Sequence, residues 1–284
     1  FELHCLGMGE RWRREYKIFL CTFFDVSFVF AGLFQWLSAT IEGIETGRMA
    51  YSEQKDAIEF LSSNFEPAYY DEQEREALET YIKENIGEFD EVFHELVSPD
   101  IHCDIYIVKP TPERNYYTLI TGGMGAYHMN IPEDFSGSPF AEMVIHLPAT
   151  WNIKSEEEKD YWPIRWLKIL SRLPIEQDTF LAWGHTVPTG EPLEGTKFTC
   201  MLLIGTDDKQ GEEAIAKLPT GKEVNFYTIV PLYEQEMLYK LENDSSALLE
   251  LFSEKDIPYP PVVDVNRPNV CQDYAPMQNT SLLD

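Results

Sequence analysis

Between residues 71 and 124 the apolar spacing of this chain changes once, from helical to alternating, and that change dictates a domain built of both helix and sheet. In DEQEREALETYIKENIG (71–87), Leu78, Tyr81, Ile82 and Ile86 form one stripe at helical spacing. Asp71 has the chemistry of an N-cap, Glu74 three residues on completes a capping box, and Gly87 suits the C-terminal end. In IHCDIYIVK (101–109), Ile101, Cys103, Ile105 and Ile107 alternate with His102, Asp104, Tyr106 and Val108, the pattern of a half-buried strand. NYYTLITGGM (115–124) returns after a Pro-containing turn, so the two are expected to pair as a hairpin. FAEMVIHLP (140–148) is apolar almost throughout, which places it centrally in the sheet.

The remaining pattern completes the architecture. SEQKDAIEFLSSNF (52–65) has helical spacing behind Ser52, and EFDEVFHEL (88–96) reads as a further short helix. SEEEKDYWPIRWLKILSRLP (155–174) is helical. Ser155 and Glu158 stand at capping-box spacing, and Pro163 is expected to open a second helical segment. TKFTCMLLIG (196–205) and KEVNFYTIVPL (222–232) are strand-like, and residues 233–255 read as two helices broken near Asn243–Ser245. Helices come first, then strands interrupted by a helix, then helices. That is not a strict β-α-β alternation, and the expected fold class is α+β, a mixed β-sheet with helices packed on it.

Three regions are expected: a hydrophobic leader over 1–48, a domain over 49–271 and a disordered tail over 272–284. The run 18–41 has the length of a membrane span and follows the basic stretch RWRREYK. Asp25 weighs against a span, since an unpaired carboxylate in lipid costs roughly 2.5–3.5 kcal/mol. The chain begins at Phe1, and Met49 opens a stretch that reads like a natural start. Three readings of the leader stay open: a segment outside the working protein, an N-terminal membrane anchor, or a buried hydrophobic helix.

Chemistry is constrained mainly by what is missing. No phosphate-binding P-loop, dinucleotide fingerprint or nucleophile-elbow serine is present, and GGMG (122–125) reads as a glycine turn. The five cysteines are scattered and include no C-x-x-C pair, which fits a reducing, cytoplasmic setting and neither a zinc set nor a disulfide framework. His102 and Asp104 share a strand face, but two ligands do not make a metal site; Cys103 faces away and reads as a core residue. No cofactor or metal is expected. The chain carries 49 acidic against 22 basic side chains, a net charge of −27. Such a surface stays soluble, repels nucleic acid and anionic lipid, and speeds encounter with basic proteins.

One histidine raises the question of catalysis. His185, in LAWGHTVPTG (181–190), stands between an aromatic–glycine pair and a Pro-x-Gly turn. Asp178, Ser171, Thr186 and Thr189 are close in sequence, but none lies in a motif that activates a nucleophile. A turn histidine tied to local backbone competes with a hydrolase or transferase base at this position.

The same residues carry a family resemblance. IRWLKILSRLPIEQDTFLAWGHTVPTGEP resembles the suppressor-of-fused (SUFU) family in its bacterial form, at Arg165, Trp166, Leu167, Lys168, Asp178, Trp183, Gly184, His185, Thr186, Pro188 and Gly190. EVNFYTIVPLYEQEMLYKLENDSSALLELF resembles the family's next segment, at Val224, Asn225, Phe226, Tyr227, Pro231, Leu232, Tyr233, Glu236 and Met237, and DVNRPNV its closing one. The ordered set spans about residues 50 to 271. The resemblance implies a SUFU-like domain that binds protein and catalyses nothing. Its animal members clamp a short peptide of a transcription factor, and many bacterial members look like immunity proteins. The implied role is an antitoxin for a basic cognate toxin, with an intracellular regulator that binds an extended peptide as the alternative. The motif positions Arg165, Trp166, Asp178, Gly184, His185, Thr186, Pro188, Gly190, Asn225, Tyr227, Pro231 and Tyr233 are then structural or partner-binding.

Overall fold

A computed structural model describes residues 67–275, apart from 96, 97 and 99. The expected helix at 52–65, the apolar run at 18–41 and the end of the tail lie outside the described residues.

The first helix, α1 (Glu72–Tyr81), starts as its sequence dictates. The Asp71 carboxylate accepts from Glu74 N at 2.8 Å, and the Glu74 side chain reaches back to Asp71 N. The helix widens into a π-helical turn at Ile82–Ile86, and Gly87 N–H closes it on Ile82 O. Strand β1 (Phe89–Phe93) follows, where the spacing predicts a helix. The cause is a bulge between Phe89 and Glu91 in the antiparallel pairing of β1 with β2 (Asp104–Val108). One inserted residue puts Phe89 and Val92, three apart, against the same hydrophobic cluster, while Phe93 turns to the other. A bulged strand thereby mimics helical spacing.

Strand β2 pairs with β3 (Tyr116–Gly122) as the expected hairpin, and β3 pairs with β4 (Phe140–Pro148). Helix α2 (Glu158–Glu176) crosses next and leads to β5 (Thr186–Pro188), β6 (Cys200–Gly205), β7 (Ile215–Lys217) and β8 (Glu223–Leu232). Helices α3 (Glu234–Glu242) and α4 (Ser245–Glu254) end the order of elements, broken at Asn243–Asp244 as the sequence predicts. The sheet runs β1-β2-β3-β4-β8-β6-β5, with β7 pairing β8. Among the strand pairs of the described residues only β4–β8 is parallel, which makes the sheet mixed.

Both faces of the sheet are covered. Ile105, Ile107, Leu119, Met143, Ile145, Met201, Leu203 and Ile229 pack on Trp162, Trp166, Leu167 and Leu170 of α2. On the opposite face Tyr106, Val108, Ile120, Val144 and Phe226 meet Leu78 and Ile82. Further along it, Leu202, Ile204, Val230 and Leu232 meet Leu248 and Phe252 of α4. Double coverage is why β4 and β8 read as nearly unbroken apolar runs.

Helix α2 departs from expectation at its start. Its N-cap is Glu157, without a side-chain cap, and Ser155 Oγ instead accepts from Glu157 N at 3.2 Å. Pro163 lies inside one continuous helix rather than opening a second. An interior proline costs about 3 kcal/mol; here the ring is itself buried, and the apolar face from Trp162 to Leu173 holds the helix together. Among the described residues no helix is long and apolar enough to cross a membrane.

Candidate functional site

The motif loop begins where α2 ends. Asp178 takes a left-handed backbone (φ 47) and its carbonyl accepts from Asn130 Nδ2 at 3.3 Å. A turn follows in which His185 N donates to Ala182 O at 3.1 Å. Gly184, at φ 80, occupies the place where a side chain is strained, and its N–H donates to Leu203 O at 2.7 Å. Ser245 Oγ, at the start of α4, donates to Gly184 O. The His185 ring stands edge-on to Phe180, centroids 4.9 Å apart. Thr186 and Pro188 then form β5 against Leu202 and Cys200 of β6. Gly190 (φ 81) turns the chain in open space, with nothing near a substituent there.

Strand β8 supplies the floor. Tyr227 is buried, and burial pushes its phenol up while the Asn225 amide, 3.1 Å away, and the Trp183 backbone pull it down. Trp183 itself is 41% exposed beside this floor. The structure thus brings Trp183, Gly184, His185, Asn225 and Tyr227 into one neighbourhood. Trp166 lies in the core of α2, and Arg165, on the outside of the helix, pairs with Glu158 and stacks over Tyr161.

Pro231 and Tyr233 belong to a second assembly. Arg267, 9% exposed, clamps the fully buried Glu236 with both terminal nitrogens at 2.6 Å. It also donates to Pro231 O at 2.8 Å and lies against the rings of Phe198, Tyr233 and Phe252 at about 5 Å. Glu236 accepts from Tyr233 N and Val270 N, both at 3.0 Å, and Tyr233 Oη donates to Arg267 O at 2.6 Å. The YEQE and NRP segments, 31 residues apart at Glu236 and Arg267, are one ion-paired knot.

Two further clusters gather side chains that spacing along the chain does not connect. Glu142, wholly buried in β4, accepts from Tyr70 Oη (2.7 Å), Thr121 Oγ1, Gly123 N (2.9 Å) and Gly125 N (3.1 Å). The GGMG turn is folded around this carboxylate, which occupies the N–H groups of Gly123 and Gly125. Burial raises the Glu142 carboxyl, against the pull of those four donors. The other cluster joins His94, Glu95, Ser98, His102 and Asp104 beside a cleft of about 590 Å³. Its His102–Asp104 contact of 3.2 Å bears out their shared strand face, and Cys103 is buried. Among the described residues no group of three ligands is placed to hold a metal ion. Cys103, Cys200 and Cys271 are free thiols; burial pushes the first two up to about 12.

Fold and sites together define a mixed-sheet α+β domain whose motif residues shape a loop and a buried ion pair. A family model, Suppressor of fused protein (SUFU), matches residues 99–268, and the chain belongs to that family. The search of curated proteins found no match. Among solved structures, the Sufu–Fu complex aligns with a TM-score of 0.51 at 16% identity, over 72% of this chain and 93% of that one. A SUFU homologue from Neisseria gonorrhoeae aligns with a TM-score of 0.49 at 20% identity, over 71% of this chain and 96% of that one.

Proposed function

We propose that this chain is a non-enzymatic protein-binding domain that acts as a bacterial immunity protein, an antitoxin that neutralises a basic cognate toxin in the cytoplasm. The observation that carries the reading is membership of the SUFU family combined with a net charge of −27. One solved relative is a Sufu protein in complex with Fu, which supports protein binding as the kind of work this fold does. The charge supports a basic partner, because opposite fields raise the encounter rate most strongly at low salt. The proposed domain runs over 49–271, with 1–48 as a leader or anchor and 272–284 as a tail.

The proposed contact surface is the motif loop, where the half-exposed Trp183 has the size and rigidity of an interface anchor. The test is association kinetics between the full chain and the basic protein encoded beside it. The rate constant is expected to fall by an order of magnitude or more between about 20 and 300 mM salt. A salt-independent rate removes the electrostatic part of the proposal.

A catalytic reading centred on His185 makes a different prediction. If the imidazole is architectural, as its packing on Phe180 suggests, His185→Ala costs about 1–2 kcal/mol in a thermal or urea melt. If it is a catalytic base, the variant keeps its stability and loses a turnover that the parent shows. A regulator that adds an extended peptide to a sheet edge is the alternative binding mode, and β1 and β5 stand at the two ends of the strand order.

A further inference from the structure

Two carboxylates face each other just past the end of β6. Asp207 and Glu213 are antiparallel bridge partners across the turn that leads to β7, and both are exposed. Side chains directly opposite in such a pair stand about 5 Å apart at their Cβ atoms, and like charges there are destabilising. The turn between them, DKQGE (208–212), holds one cation, Lys209, and it is turned away: its Nζ donates to Lys83 O at 2.8 Å and to Glu84 O at 3.0 Å. The Asp208 carboxylate is occupied by Gln210 N and Glu212 N, at 2.8 and 3.0 Å. Among the described residues no lysine, arginine or histidine lies within ion-pair distance of Asp207 or Glu213.

Aromatic surface adjoins the pair. Gly205, two residues before Asp207, has no side chain, and Glu213 Oε1 lies 3.8 Å from where a Cβ would stand. Tyr259, 58% exposed, brings its hydroxyl to 3.5 Å from Gly205 O and faces the Asp207 carboxylate. Across the β6–β8 pairing Gly205 is opposite Tyr227, whose phenol accepts from the Trp183 backbone and lies within reach of the Glu213 charge. The half-exposed Trp183 is thereby held beside the pair. A guanidinium fits this chemistry: it is flat enough to lie on an aromatic face and carries N–H groups on its rim for two carboxylates.

We propose that Asp207 and Glu213, bordered by Trp183 and Tyr259, form a seat for one arginine side chain of the basic protein that this domain binds. The arginine supplies the positive charge that the cross-strand pair lacks, while Lys209 stays committed to the π-helical turn. The inference deepens, and rests on, the reading of this chain as a binder of a basic protein.

The test titrates the full chain with N-acetyl-arginine amide at constant ionic strength and follows N–H resonances. The Glu213 amide and the Trp183 indole are expected to shift in a saturable way, with millimolar affinity. The citrulline analogue, of the same shape without the charge, should leave both in place, and the lysine analogue should bind more weakly. Asp207→Asn with Glu213→Gln should abolish saturation, and this variant is expected to fold at least as well as the parent because it relieves a like-charge contact. Trp183→Leu should weaken the probe about two- to fivefold, read at the Glu213 amide. No saturable shift in the parent, equal binding of the citrulline or lysine analogue, binding that survives in the double variant, or unchanged affinity in Trp183→Leu overturns the seat. The probe requires no toxin, so a seat that fills in a chain that binds no toxin removes the antitoxin reading alone. A toxin complex formed by a chain whose seat stays empty removes this inference alone.

Discussion

Replacing Arg267 with alanine is expected to cost about 3–5 kcal/mol of folding stability, measured by urea unfolding near neutral pH. The substitution strips the wholly buried Glu236 carboxylate of its two guanidinium contacts and leaves the N–H groups of Tyr233 and Val270 on it. It also removes a donor from Pro231 O and the flat cation packed among Phe198, Tyr233 and Phe252. Arg267→Lys should recover little, because one ammonium replaces neither the two-pronged clamp nor the stacking. Removing both charges in Arg267→Met with Glu236→Leu should be less harmful than Arg267→Ala alone. It should still fall short of the parent, since two backbone donors lose their acceptor. A loss under about 0.5 kcal/mol for Arg267→Ala would show that the knot is not holding the closing segment to the sheet.

Acid should unfold this protein well before its surface carboxylates alone require it, and His146 is the reason. The imidazole is buried in β4, with Nδ1 3.0 Å from Thr118 Oγ1, the Tyr116 ring edge-on at 5.1 Å, and the Arg114 guanidinium nearby. Burial first, and the Arg114 charge second, lower it to about 3 from an ordinary 6.5. The folded state therefore binds the proton less readily than the unfolded chain. The neutral ring's contribution is fully present above pH 6.5 and is lost as pH falls towards 3. Each unit is about 1.4 kcal/mol, so roughly 2–3 kcal/mol should be gone by pH 4.5 and 4–5 kcal/mol by pH 3. Glu142 works with the opposite sign: its raised carboxyl favours the folded state at low pH and withdraws that help as pH rises past the ordinary glutamate range. The difference in unfolding free energy between the parent and His146→Gln isolates the histidine. That difference should shrink steadily from pH 6.5 to 4.5; a constant difference would mean that the buried ring is not the acid-sensitive group.

Much of this architecture was legible because local chemistry and tertiary packing agree. Asp71 and Glu74 cap α1 as a capping box must, β4 spans residues 140–148 as its apolar run indicates, and the helix pair breaks at Asn243–Asp244. The errors have physical causes. At β1 a bulge disguised alternation as helical spacing, and at Pro163 core burial carried one helix through a residue that ordinarily ends it. The short strands β5 and β7 hold only three residues each, too few for any period to register. For the sites, spacing along the chain is silent about partners 31 or more residues apart, so neither Arg267 with Glu236 nor Arg172 with Glu95 was visible as a pair. Glu142 does carry a signal in the sequence. An acid in the middle of FAEMVIHLP has no solvent to face when both sides of the strand are covered, and must find buried donors.

In the function proposed above, an acidic SUFU domain holds a basic protein and transforms nothing. The most direct measurement of the proposed function mixes the purified full chain with the proposed partner, a basic toxin sought beside its gene, and follows complex formation by calorimetry alongside the toxin's own activity. The account predicts a stoichiometric complex in which that activity is lost, with the toxin chain chemically unchanged on release. A toxin that stays active with no heat of binding, or one recovered cleaved or modified, would contradict it.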